Sequence, residues 1–228
     1  MPALLSRGVS HGIVFLALYA IDAAAAGSST QKTTSSQEET WQADSRAGKI
    51  LAEENRCAEC HGLDGNGQSN TAGSLGVFPK LAGQNAAYLW KQIKDFRSDQ
   101  RHSDIMSIMA RSVDDADARN ILGYYSSLPK MQGKAAASNP AAESLFKRGD
   151  DKRGLAACAR CHGEGGKGLA AQPLVPIIGG QDRAYLHKQL SDWRSGERKN
   201  SPDGAMSAAA KLLTDQEINS LADYLSAL

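Results

Sequence analysis

The sequence predicts an all-α protein built as two tandem helical domains behind an export segment. Apolar residues recur at helical spacing along the chain, and no stretch shows the strict alternation of a half-buried strand. A long segment is repeated after about one hundred residues, which is the mark of domain duplication and not of a solenoid of short repeats. Each copy also carries the same pentapeptide pattern, Cys57-Ala58-Glu59-Cys60-His61 and Cys158-Ala159-Arg160-Cys161-His162. A length of 228 residues suits two domains of about a hundred residues each. Charge is balanced, with 26 Lys and Arg against 25 Asp and Glu, so no nucleic-acid surface or polybasic membrane patch is indicated. All four cysteines lie within the pentapeptides, which leaves none for a disulfide or a catalytic thiol.

Residues 1–26 read as a cleavable signal peptide: Arg7 supplies the positive start, Ile13 to Ile21 the apolar core, and Ala23 to Ala26 the small residues of a cleavage site. The apolar core is too short to span a bilayer, and Asp22 ends it. Residues 27–43, rich in Ser, Thr and Gln, have little to bury and are expected to be a disordered leader. The first domain is expected over 44–130, a linker over 131–140, and the second domain over 141–228.

The pentapeptide spacing has a chemical reason. Two thiols separated by two residues can form thioethers with both vinyl groups of one porphyrin, and the adjacent histidine then lies beneath the iron. A redox dithiol would want a βαβ setting, and a zinc site would have to draw both cysteine pairs together across the chain. Two copies, each followed by glycine, favour two covalently attached c-type haems, with Cys57, Cys60, Cys158 and Cys161 as attachment points and His61 and His162 as iron ligands.

The elements of each copy follow in order. A short helix over about 44–55, and its counterpart from about residue 142, leads into the pentapeptide. Gly48 and Gly149, each nine residues before the first cysteine, allow another element to approach closely. Next comes the clearest duplication: PKLAGQNAAYLWKQIKDFR over 79–97 and PIIGGQDRAYLHKQLSDWR over 176–194 agree at ten of nineteen positions. Within it a middle helix shows the stripe Leu89, Ile93 and Phe96, repeated as Leu186, Leu190 and Trp193. A polar loop then precedes a last helix, capped by Asp114 in the first copy and by the capping box Thr214 to Glu217 in the second.

That loop nominates the sixth iron ligand. Met106 lies 45 residues after His61 and Met206 lies 44 after His162. Met109 competes with Met106, but its repeat equivalent is Ala209, which favours Met106 as ligand and Met109 as a packing residue. His102 and His187 have no histidine counterparts in the repeat and read as surface or packing residues. A thioether favours ferrous iron more than a second imidazole does, and six ligands leave no open position for oxygen or peroxide. Outer-sphere electron transfer is the task suited to such a site.

With both C-x-x-C-H-G motifs, both Pro-x-x-x-Gly-Gln-x-x-x-Tyr-Leu segments and both methionines in place, residues 44–228 resemble the dihaem cytochrome c4 family, tandem class I cytochrome c domains. The resemblance implies a periplasmic electron carrier and not an enzyme. Its electrons would come from a quinol-oxidising complex and pass to a cytochrome c oxidase, with peripheral association at the membrane surface in view. The alternatives are a cytochrome subunit of a periplasmic dehydrogenase and a dihaem peroxidase; aligned methionines in both copies weigh against the latter. The resemblance further implies that the carbonyls of Pro79 and Pro176 accept a hydrogen bond from the iron-binding histidines. It also pairs Tyr124 with Gly48 and Tyr224 with Gly149 where the last helix meets the first. Tyr88, Tyr185, Arg97 and Arg194 are candidates to contact the haem propionates, because buried carboxylates need donors or cations.

Overall fold

The computed structural model describes residues 42–67, 77–133 and 139–228. The signal-peptide segment, nearly all of the leader and the middle of the linker lie outside them. Among the described residues there are helices and no β-strand, the nearest approach being one isolated bridge between Asp150 and Leu155.

The first half holds α1 (Ser45–Glu54), α2 (Cys57–His61), α3 (Ala86–Arg97), α4 (Asp104–Ser112) and α5 (Asp115–Ser127). Local chemistry accounts for the ends. The Asp44 side chain accepts from the amides of Arg46 and Ala47 at the start of α1, and Asp114 accepts from Asp117 N at the start of α5. α1 crosses α5 with almost no gap: a Cβ on Gly48 would lie 2.0 Å from the Asn120 carbonyl oxygen and 2.9 Å from the Tyr124 Cβ. Leu89 from α3 and Ile121, Leu122, Tyr124 and Tyr125 from α5 close over Ala52 of α1 to form the core.

The second half repeats the plan with α6 (Pro140–Arg148), α7 (Ala159–His162), α8 (Arg183–Ser195), α9 (Ala205–Lys211) and α10 (Asp215–Ala227). Thr214 and Glu217 form the expected capping box on α10. The core gathers Ala142 and Phe146, Leu186, and Ile218, Leu221, Ala222 and Leu225.

Two expectations are corrected. Gly149 does not face the last helix: it ends α6 with φ of 68°, and a Cβ there would strike the Leu155 carbonyl oxygen at 2.2 Å. The reason is a detour absent from the first half, a 3-10 turn over Asp151–Arg153 that separates α6 from the haem motif. Phe146 instead faces Tyr224, ring centroids 5.8 Å apart. Second, the two methionines do not sit in loops. Met106 is in the first turn of α4, where Ser103 Oγ accepts its amide at 3.3 Å, and Met206 is in the first turn of α9, where Ser201 Oγ accepts its amide at 3.2 Å. The start of the segment read as the linker is packed: Met131 is buried, its amide donates to the Ala82 carbonyl, and Gly133 N donates to the Leu228 carbonyl.

Candidate functional site

Each pentapeptide folds as a short helical turn closed by glycine: Gly62 N donates to the Ala58 carbonyl and Gly163 N to the Ala159 carbonyl, both at 2.9 Å. Gly62 and Gly163 both hold positive φ, 73° and 76°, which lets the chain leave the turn abruptly. The following loop is tied back at matching places, with Gly67 N on the His61 carbonyl at 2.8 Å and Gly168 N on the His162 carbonyl at 2.7 Å.

This framework buries both imidazoles and aims them identically. His61 Nδ1 donates to the Pro79 carbonyl at 2.9 Å, and His162 Nδ1 donates to the Pro176 carbonyl at 2.9 Å. Burial holds both histidines below the ordinary imidazole pKa, partly offset by those carbonyls, so both are neutral. With Nδ1–H committed, the Nε2 lone pair is left to bind iron. The cysteines do not look like a redox dithiol. As free thiols, burial pushes Cys57 up to about 11 and raises Cys158, the opposite of an activated thiolate. Among the described residues no cluster of three or more His, Cys, Asp or Glu forms, so the two cysteine pairs do not converge on one metal.

Met106, Met109 and Met206 are all half-buried. Met109 follows Met106 by one helical turn on α4, and Ala209 occupies the matching place on α9. His102 is exposed and pairs with Asp104, while His187 is half-buried on α8. Tyr124 hydroxyl donates to the Leu63 carbonyl at 2.5 Å, tying α5 to the loop after the haem motif.

The candidate propionate contacts are redistributed. Arg97 is used within its own half: Nε donates to the Ala110 carbonyl at 2.7 Å, Nη2 to the Val113 carbonyl at 2.6 Å, and Nη1 to Asp115 at 2.5 Å. Arg194 repeats this with the Leu213 carbonyl and Asp215. Both fasten the end of the middle helix to the turn before the last helix, which commits part of each guanidinium within its own half. Tyr88 and Tyr185 point into the junction between the halves, where Arg198 Nη2 donates to the Tyr88 hydroxyl at 3.3 Å and Arg101 Nη2 to the Tyr185 hydroxyl at 2.9 Å.

Sequence reasoning passed over the arginines at this junction. Arg101 also donates to Gln92 and Gln189, and Arg198 to Gln189, Gln92 and Asn200. Their rings of contact include Phe96 beneath Arg101 at 4.7 Å and Trp193 beneath Arg198 at 4.4 Å. Among the described residues neither guanidinium forms an ion pair at contact distance, Arg101 feeling Asp192 only from further off, although Arg198 is buried and Arg101 half-buried. The signal was available: both stand four residues beyond the arginines chosen from the repeat, in the same register. Two shielded cations with no carboxylate at ion-pair distance, and the fully buried Tyr125 hydroxyl with no hydrogen-bond partner among the described residues, fit pockets completed by a carboxylate-bearing porphyrin.

Comparison with known proteins agrees. The family profile described as Cytochrome c matches residues 45–129, and the profile described as Cytochrome C oxidase, cbb3-type, subunit III matches residues 152–225. Cytochrome c4 of Thiocapsa roseopersicina is 34% identical over 186 residues, covering 81% of this chain and 93% of its own length. A thiosulfate dehydrogenase electron acceptor of Stutzerimonas stutzeri is 36% identical over 174 residues, covering 75% of this chain and 77% of its own. The crystal structure of reduced cytochrome c4 from Pseudomonas stutzeri superposes with a TM-score of 0.72 at 33% identity, covering 82% of this chain and all (100%) of that one. Thiosulfate dehydrogenase from Marichromatium purpuratum superposes with a TM-score of 0.70 at 34% identity, over 80% of this chain and 40% of that longer one. The chain therefore belongs to the cytochrome c4 family, an electron-transfer protein of two tandem cytochrome c domains with two covalently bound haem c groups.

Proposed function

We propose that the protein is a periplasmic carrier with two His/Met haems, each moving one electron at a time. The observation that supports it best is the duplicated ligand set: a neutral buried histidine held at 2.9 Å by a proline carbonyl in each half, with a methionine in the first turn of a following helix. His61 and Met106 then complete the first haem, and His162 and Met206 the second. The haem supplies a reversible ferric/ferrous couple; the chain supplies its attachment, its ligands and its electrostatics. Arg101 and Arg198 neutralise propionate charge at the junction, with Tyr88 and Tyr185 placed beside them.

The domain limits that go with this reading are 44–130 and 141–228, joined through 131–140. The donor is a quinol-oxidising complex and the acceptor a terminal cytochrome c oxidase. No described helix is long and apolar enough to cross a membrane, and the membrane association that goes with this reading is peripheral. The deciding measurement is a visible spectrum of the exported holoprotein, oxidised, reduced, and reduced with carbon monoxide. A c-type spectrum indifferent to carbon monoxide is expected; a shifted fraction of the absorbance would refute six-coordination at one iron.

A second reading is favoured by the relatives named as thiosulfate dehydrogenase electron acceptors. In it the donor is a sulfur-compound dehydrogenase of the same compartment. Rapid reduction by thiosulfate in the presence of catalytic thiosulfate dehydrogenase would establish it, and reduction no faster than that of an unrelated cytochrome c would remove it.

A further inference from the structure

The loops that orient the two histidines are each held by the opposite half. Gln181 Nε2 donates to the Lys80 carbonyl at 2.9 Å, and Lys80 N donates back to Gln181 Oε1 at 2.8 Å. Gln84 does the same in the other direction: Nε2 donates to the Ile177 carbonyl at 2.8 Å and Ile177 N donates to Oε1 at 2.8 Å. Both glutamines are buried, 4% and 5% exposed. Each oxygen is itself fixed by the next amide along its own chain, Asn85 N at 3.0 Å and Asp182 N at 2.8 Å.

The residues they grip give the arrangement its meaning. Lys80 follows Pro79, so the carbonyl that accepts from His61 and the amide that donates to Gln181 are opposite ends of one planar peptide group. Ile177 follows Pro176 in the same way, linking His162 to Gln84. A hydrogen bond made by the N–H of a peptide polarises its C=O and strengthens it as an acceptor. A stronger acceptor draws the Nδ1 proton and makes the imidazole a more basic ligand, which favours ferric iron and lowers the potential.

We infer that Gln84 and Gln181 are crossed positioning residues: each tunes the iron-binding histidine of the domain it does not belong to, so that neither haem has its final potential until the two halves are docked. The inference rests on His61 and His162 being the iron ligands. It deepens the electron-transfer reading by making the two couples interdependent through the junction and not only through their mutual charge.

The test is a redox titration of holoprotein Q181M and Q84M, with the two haems resolved by their haem-methyl NMR signals. Gln181→Met is expected to raise the first haem's potential by about threefold in its reduction equilibrium, about 28 mV for a one-electron couple at ~59 mV per decade. The second haem stays in place. Gln84→Met is expected to move the second haem alone. A shift confined to the mutated domain's own haem, an equal shift of both, or no shift overturns the inference. Should a methionine variant fail to fold, Q181E keeps the oxygen that accepts from Lys80 N with added negative charge, and is expected to lower the first haem's potential; a rise or no change there also overturns it. Carbon monoxide added to the reduced wild type separates the failures. Indifference to the gas with no crossed shift rejects the clamp and keeps the ligands, whereas a gas-sensitive spectrum rejects the ligands themselves.

Discussion

The two halves of this chain agree most closely around the proposed iron ligands and diverge further out. The histidine-to-proline bond has the same length in both, the reciprocal glutamines match atom for atom, and the arginine that anchors the last helix recurs as Arg97 and Arg194. By contrast two residues separate the end of α1 from the first haem motif, while nine separate the end of α6 from the second and a 3-10 turn lies in the gap. The wall beside the histidine differs as well. The backbone carbonyls of Tyr125 and Leu225 accept equivalent amides, from Gly83 and Gly180, so the two residues are counterparts, yet one side chain is a phenol and the other a hydrocarbon. After duplication, the bonds that orient a ligand have little freedom to change, because an imidazole turned away from iron is lost to function. Packing around them can drift, and that drift can separate the two redox couples.

The largest effects expected are at the methionines, where the comparison can be broken outright. Met206→Ala should open the second iron to carbon monoxide and lower its potential by on the order of 100 mV, within the ~0.8 V range set by axial ligands. Met106→Ala should do the same for the first iron, while Met109→Ala leaves both spectra and titrations unchanged. A carbon monoxide difference spectrum of each variant checks the set, and a gas-sensitive Met109→Ala would transfer the ligand role to that residue.

A smaller loss is expected from Gly48→Ala. The new methyl meets the Asn120 carbonyl oxygen of a packed helix, so overpacking should cost about 1–3 kcal/mol in denaturant unfolding of the first half. Helix propensity alone would predict a gain of up to ~1 kcal/mol, so the sign of the change decides whether the α1–α5 crossing is as tight as described.

Tyr125→Phe sharpens the comparison further. The ring of Tyr125 meets His61 edge-on with centroids 6.5 Å apart, and its hydroxyl has no partner among the described residues. Such a buried donor turned toward electron-rich porphyrin or thioether sulfur stabilises the reduced state. Removing it should lower only the first haem's potential, by about fivefold in equilibrium constant if the bond is worth ~1 kcal/mol. An unmoved first haem in the titration would show that the hydroxyl serves no haem atom.

The smallest effect concerns acid. Arg153 on the detour donates to both oxygens of Glu217 and holds its carboxyl below the ordinary range. A depressed carboxylate pKa stabilises the fold above the unfolded value of about 4.3 and loses that contribution as pH falls through it toward the folded one. The pair is partly exposed, so about 0.5 kcal/mol is at stake. Glu217→Gln should flatten the stability of the second half between about pH 5 and 3.

What could be read from the chain alone was whatever depends on short spacing or on the repeat. The cysteine-to-histidine spacing is a local matter of one helical turn, and caps such as Asp114 and Thr214 act within three residues. The repeat, likewise, could single out Met106 over Met109 as the better candidate without any coordinates. The choice among polar residues was not legible in that way. Arg97 and Arg194 were credible propionate partners by sequence, yet the close approach of the turn before the last helix engages them there, and the junction between the halves is lined by Arg101 and Arg198. Gly149 keeps its distance from cysteine in sequence but not its place in space, because the detour takes up the residues that a helix would have used. The pairing of Gln84 with Ile177 and of Gln181 with Lys80 spans about a hundred residues and exists only when the halves meet. Sequence by itself determined the first, middle and last helices of each half, the attachment chemistry and the number of haems, since these follow from covalent spacing and helical period. Tertiary structure alone decided which polar groups face a ligand and which face each other, because a hydrogen bond goes to the nearest unsatisfied partner in space.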